Sequence, residues 1–189
     1  EKRDVMLVRE SDPDRHTLER LELSGVTSLH PSTGGGVSDI DLSIRGGSFI
    51  VVTGEVGAGK STLLRAIAGI DRLNAGSISW NGLMVEDVPA WMVPPNSAYL
   101  PQVPRLFSES LSANISLGRD EHSLNDVIAL TTLDQDLAQM PDGAATRVGA
   151  RGLRLSGGQA QRVAAARSLL TTPELLLIDD VSSALDVAT

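Results

Sequence analysis

The chain has 189 residues and a formal charge of −8. That length fits one domain with room for a subdomain, and the acidic balance argues against a general nucleic-acid surface, which needs a basic footprint. Cysteine is absent, excluding a disulfide framework and a thiolate metal site; no apolar stretch approaches the ~20 residues that span a bilayer and no signal-peptide pattern opens the chain, so the polypeptide as given is expected to be soluble.

Residues 1–19 are charged, carry Asp12-Pro13-Asp14, and read as a lead-in or linker. Two segments with alternating apolar residues, 21–26 and 37–44, suggest antiparallel strands around the loop Pro31-Ser32-Thr33-Gly34-Gly35-Gly36. The run Ser48-Phe49-Ile50-Val51-Val52-Thr53 is apolar and β-branched and predicts a buried strand. It leads into Gly54-Glu55-Val56-Gly57-Ala58-Gly59-Lys60-Ser61-Thr62, and Leu63 to Ala68 then reads as a helix. A further strand over 76–82 enters an Asn81-Gly82 hairpin turn. Pro89, Pro94 and Pro95 mark loops before a short strand at Ser97-Ala98-Tyr99-Leu100. From about 104 to 171 the pattern is helical, most strongly over 123–133 and 157–170, and Glu174-Leu175-Leu176-Leu177-Ile178 returns to a buried strand. The expected fold class is α/β: a phosphate-loop core with an N-terminal antiparallel β-subdomain and an inserted helical subdomain.

The stretch Gly54 to Thr62 fits G-x-x-x-x-G-K-[ST] in the strand–loop–helix context that this motif requires. Its glycines let the backbone curl so that several N–H groups converge on one anion at the positive end of a helix. Lys60 adds a cation for the terminal phosphates, and the Ser61 hydroxyl is a ligand for Mg²⁺. A second constellation begins at Leu155-Ser156-Gly157-Gly158-Gln159, just before an Ala-rich helix. Alone it is also an ordinary turn with Ser156 as helix cap. Asp179 follows four aliphatic residues, and an acid at the tip of a buried strand beside a phosphate loop is where Mg²⁺ is held; without that loop it would read as a strand-end turn residue.

Taken together, these residues resemble the nucleotide-binding domain of an ATP-binding cassette (ABC) transporter, in the family's order and spacing, from Leu21 to the C-terminus. The resemblance implies that residues 20–189 form the cassette, with the helical subdomain at about 104–171. It implies ATP and Mg²⁺ as ligands: Gly54, Glu55, Val56, Gly57, Ala58, Gly59, Lys60, Ser61 and Thr62 around the phosphates, and Ser61, Gln102 and Asp179 toward the metal. Gln102, in Tyr99-Leu100-Pro101-Gln102, matches the family's glutamine that touches Mg²⁺ and the attacking water; Leu155 to Gln159 is the LSGGQ signature, and Ser183-Ala184-Leu185-Asp186 matches the D-loop. In this family two cassettes pair head to tail, so Ser156, Gly157, Gly158 and Gln159 would meet the partner's ATP. Segments 106–115 and 140–152 are similar to exporter cassettes, which implies a transmembrane-domain partner, a place at the cytoplasmic face of a membrane, and ATP hydrolysis that drives transport.

Four departures qualify the resemblance. Asp180 stands where an active cassette has Glu as general base, and its carboxylate is one methylene shorter. The chain ends before any equivalent of the switch histidine, so the domain is expected to be C-terminally truncated. His30 occupies the region of the adenine-stacking aromatic, as a weaker stacking partner or as an exposed loop residue. Ala150 stands where exporters usually carry Glu. Two other readings stand beside an active pump: a degenerate cassette that holds ATP as a regulatory module beside an active partner, and a soluble cassette with no membrane partner, against which the acidic balance and exporter-like loops speak.

Overall fold

The computed structural model of the protein describes residues 17–149 and 154–180. The sequence reaches a sheet first. Strand β1 (Arg20–Leu29) buries Leu21, Leu23, Val26 and Ser28. The inward parity changes from odd to even because the register slips between Leu23 and Val26, where Gly25 has φ 57°. An extra residue at a bulge turns the following side chains to the opposite face, which keeps Val26 in the core. β1 pairs antiparallel with β2 (Gly36–Arg45) and with β3 (Ala75–Trp80), and β3 turns into the short β4 (Leu83–Met84), giving the order β2-β1-β3-β4. The turn residues Asn81 and Gly82 both have positive φ, 51° and 80°, as a two-residue hairpin of the expected hand requires. Asn81 also accepts the backbone N–H groups of Glu19 and Arg20 at 2.8 and 2.9 Å, tying the entry of β1 to the hairpin.

Helix α1 (Lys60–Ile67) packs its Thr62, Leu63, Ala66 and Ile67 face inward. α2 (Val88–Trp91) is a single turn capped by Asp87. β5 (Ser97–Leu100) pairs in parallel with β6 (Leu175–Ile178), in the register Ser97↔Leu175 to Leu100↔Ile178. Leu63 and Ile67 of α1, Leu21, Leu23 and Ile78 of the antiparallel sheet, and Leu175 and Leu177 of β6 share one core. Four helices, α3 (Leu111–Ser116), α4 (Leu124–Leu130), α5 (Leu133–Leu137) and α6 (Gly157–Leu170), enclose a second one around Leu111, Ile115, Leu133 and Val163. α6 packs against both α3 and β5 and so bridges the two. Asn114, fully buried, ties the preceding loop to α3: it accepts Phe107 N–H at 2.7 Å and donates to Phe107 O and Ser110 O at 3.0 Å each. Arg167 of α6 donates to Asn114 O at 2.7 Å, and burial pulls its guanidinium below the ordinary value.

Two sequence expectations differ from the fold. The buried strand over Ser48–Thr53 is absent: these residues form no strand and pair in no ladder, and Phe49 and Val51 are 89% and 66% exposed. Apolar β-branched composition favours a strand, but a core strand also needs neighbours to take its N–H and C=O groups and cover both faces. Among the described residues β5 and β6 pair only with each other, so this run has no ladder to join. The helical signal over 123–133 is broken as well. Thr131 Oγ1 donates back to Val127 O at 2.7 Å and Thr132 takes φ 54°, so the chain turns between α4 and α5.

Candidate functional site

Gly59 starts α1 from the left-handed region, φ 89°, and a Cβ there would lie 2.6 Å from Gly36 O and 2.7 Å from Val37 Cγ1. Only glycine fits so close to β2 in that conformation. Lys60 Nζ folds back and donates to Gly54 O and Glu55 O, both at 2.8 Å, so the loop closes around its own lysine. Residues 54–58 lie exposed, with Val56 wholly so, whereas Thr62 is turned inward on the buried face of α1. His30, half-buried, opens the β1–β2 loop through His30 N–H to Gly35 O at 2.8 Å; Gly36, which ends that loop, is the residue against Gly59.

Because β5 and β6 are parallel and in register, their C-terminal ends stop together beside the loop. Asp179, 8% exposed, receives Ser61 Oγ–H on Oδ1 at 2.8 Å and Tyr99 O–H on Oδ2 at 3.0 Å, while its own N–H bonds Leu100 O at 2.9 Å. Burial and the bond to Asp179 push the Tyr99 phenol well above its ordinary value, so it remains a donor. Arg65, paired with Asp71 at 2.6 and 2.9 Å and held above its ordinary value mainly by that bond, also feels Tyr99 and Asp179. Gln102 Nε2 donates to Asp180 Oδ2 at 3.0 Å, and Gln161 of α6 donates to Gln102 O. Asp180 itself takes φ 46°, a conformation that short polar side chains tolerate best.

The structure therefore brings Ser61, Gln102, Asp179 and Asp180 to one edge, with a hydroxyl and a carboxylate in direct contact. Hard oxygen donors of this kind suit Mg²⁺, which commonly takes one or two protein ligands plus substrate phosphates. Among the described residues no group of three or more His, Cys, Asp or Glu could hold a metal unaided. Ser156 and Gln159 are held elsewhere, at the N-terminus of α6. Ser156 Oγ accepts Gln159 N–H at 3.2 Å and Gln159 Oε1 accepts Ser156 N–H at 2.9 Å, a reciprocal capping box that covers two otherwise unsatisfied donors. Gly157 and Gly158 are the first two residues of the helix, and an added Cβ at Gly157 would meet nothing within 4 Å. Ala150, Arg151, Gly152 and the segment Ser183 to Asp186 lie outside the described residues.

Sequence reading missed the hydroxyl of Tyr99, although alternation in β5, with Ala98 and Leu100 buried, already turned Tyr99 to the other face. It also missed Asp136, which Arg162 and Gln159 both contact. Arg162 lies three residues after Gln159 and so on the same helix face, a usable signal that the two share a partner.

Residues 37–183 match the family model described as ABC transporter. A putative export ATP-binding/permease protein of Rickettsia prowazekii is 35% identical over 153 residues, covering 79% of this chain and 27% of that protein. A probable multidrug resistance ABC transporter ATP-binding/permease protein of Bacillus subtilis is 34% identical over 173 residues, 89% of this chain and 30% of its own length. The structure of a bacterial Atm1-family ABC exporter with ATP bound superposes with a TM-score of 0.79 at 29% identity, over 90% of this chain and 30% of that one. The chain thus spans less than a third of the relatives it matches. Among the described residues no helix is long and apolar enough to cross a membrane.

Proposed function

Because the chain belongs to the ABC transporter family, we propose that it is the ATP-binding cassette of an exporter, residues 20–189 with a helical subdomain at about 104–171, which binds Mg-ATP, hydrolyses it and so drives transport at the cytoplasmic face of a membrane. The observation that carries the reading is the 2.8 Å contact between Ser61 Oγ and Asp179 Oδ1, made across 118 positions of sequence. It joins the phosphate loop to the acid at the end of β6, the two parts that a Mg-nucleotide site requires.

Residues 54–62 form the phosphate cradle, and Lys60 exchanges its bonds to Gly54 O and Glu55 O for phosphate oxygens. Ser61, Gln102 and Asp179 would hold Mg²⁺, which would supply positive charge against the phosphates. Asp180 accepts the proton of the attacking water, and Gln102, already bonded to it, places that water. Ser156 to Gln159 act on the ATP of a second cassette paired head to tail, with the capped start of α6 offering its first backbone amides to that nucleotide. Asp186 communicates with that partner site, His30 lies on the adenine side, and a transmembrane domain is the second partner. Nucleic acid is not a partner of this acidic chain.

A second reading is favoured by one residue. Asp180 reaches less far than glutamate, and an ångström of misplacement costs ~10²-fold in rate. A cassette that mainly holds ATP beside an active partner would use the same cradle with a weak base. The shared premise is tested by Lys60→Ala: calorimetry is expected to show Mg-ATP binding lost. An unchanged affinity would refute the phosphate-loop assignment under both readings.

A further inference from the structure

Helix α5 is only five residues long, yet it carries the acid that organises the start of α6. Arg162 grips Asp136 with Nε at 2.7 Å on Oδ2 and Nη2 at 3.1 Å on Oδ1, and Gln159 Nε2 reaches Oδ1 at 3.3 Å. The side chains of Asp136 and Arg162 are 14% and 31% exposed, so the pair is largely withdrawn from water. Arg162 first, and Gln159 after it, hold the Asp136 carboxyl below its ordinary value.

The consequence lies in the Gln159 amide. Its Oε1 accepts Ser156 N–H, while its Nε2 donates to Asp136. A primary amide can present either end to a neighbour, and the two orientations are similar in shape but opposite in polarity. An ionised carboxylate accepts only. Facing Asp136, the amide must direct Nε2 toward α5, which leaves Oε1 toward Ser156 N–H. Reversal would set two oxygens against each other and leave Ser156 N–H without its acceptor. The bend at Thr132 between α4 and α5 precedes the turn that carries Asp136 to α6.

We propose that Asp136 is a positioning residue for the signature turn: by fixing the Gln159 amide it locks the capping box and holds Ser156 and the first amides of α6 in the geometry that meets a partner's nucleotide. This rests on the reading that Ser156 to Gln159 act in trans. It assigns no ligand contact to Asp136. The residue acts through Gln159, with Arg162 holding its carboxylate ionised and in place.

The test uses the full-length protein and three measurements, affinity for a fluorescent ATP analogue, steady-state phosphate release and melting temperature. All are made in the wild-type and the Asp180→Glu background, so that a weak base does not hide the effect. Asp136→Asn keeps the side chain's size but offers either polarity to Gln159; Asp136→Glu keeps the accepting carboxylate. For Asp136→Asn we expect release to fall roughly tenfold while affinity stays within about twofold, and for Asp136→Glu to restore much of the rate. Unchanged release in Asp136→Asn overturns the proposal, as does a parallel loss of affinity and melting temperature, which would mark a purely structural role. Ser156→Ala distinguishes the failures. If it lowers release and Asp136→Asn does not, the positioning role alone is wrong; if Ser156→Ala changes nothing, the signature reading fails and this inference with it.

Discussion

The carboxylates at the ends of β6 and α5 have different partners and hence different work. Asp179 is buried and receives two hydroxyl donors, an environment that holds its carboxylate oxygens in place. Asp180, one residue on, points its Oδ2 to the amide of Gln102 and sits in a left-handed conformation. Its missing methylene is the sharpest chemical question in the chain, and a direct substitution answers it. On the reading of a cassette that mainly holds ATP, Asp180→Glu is expected to raise steady-state phosphate release of the full-length protein by about tenfold or more, since the longer side chain extends the reach of the proposed base. Unaltered release would mean that backbone adjustment already brings the aspartate to the water. Neither the Asp179 pair with Tyr99 nor the Asp136 pair with Arg162 was legible in the sequence, because each joins residues far apart in the chain that only the fold brings together.

Single elements were legible where a local rule decides them. The hairpin at Asn81-Gly82 is one: two consecutive positive φ angles need residues that tolerate them, and the pair announces the turn before any contact is known. The same logic gives a clean test. A Cβ at Gly82 would meet nothing within 4 Å, so the cost of Gly82→Ala is conformational alone. It is expected to destabilise by about 1 kcal/mol, read from the urea midpoint, with nucleotide binding intact. α6 was legible for a similar reason, since Ser156 caps it and Ala-rich sequence sustains it. The run at 48–53 was misread because its composition satisfies only half the requirement for a core strand; the other half is a neighbour, and sequence composition carries no information about neighbours. The gap between α4 and α5 was invisible for the opposite reason. Apolar periodicity continues across it while a threonine side chain diverts the backbone.

For the molecule as a whole, the uncovered run is the main departure from an ordinary surface. Phe49, Ile50, Val51 and Val52 are all exposed, directly before the phosphate loop. Apolar patches of this kind associate unless something covers them. The 189-residue chain expressed by itself is therefore expected to bind a hydrophobic dye and to elute larger than a monomer. Phe49→Lys together with Val51→Lys should reduce both signals; no change would place the association elsewhere.

The parallel ladder of β5 and β6 carries a different implication, about length rather than chemistry. Leu100 opposite Ile178 sets how far each strand runs before it releases Gln102 on one side and Asp179 and Asp180 on the other. Side chains alternate with every step along a strand, so one inserted or deleted residue in either strand would reverse which faces Tyr99 and Leu177 occupy and carry the site residues out of reach. The two strands behave like a pair of rulers with a common zero. Exchanges of one aliphatic residue for another can accumulate along them, whereas their residue counts are fixed together, and tolerated changes of length belong in the loops between them.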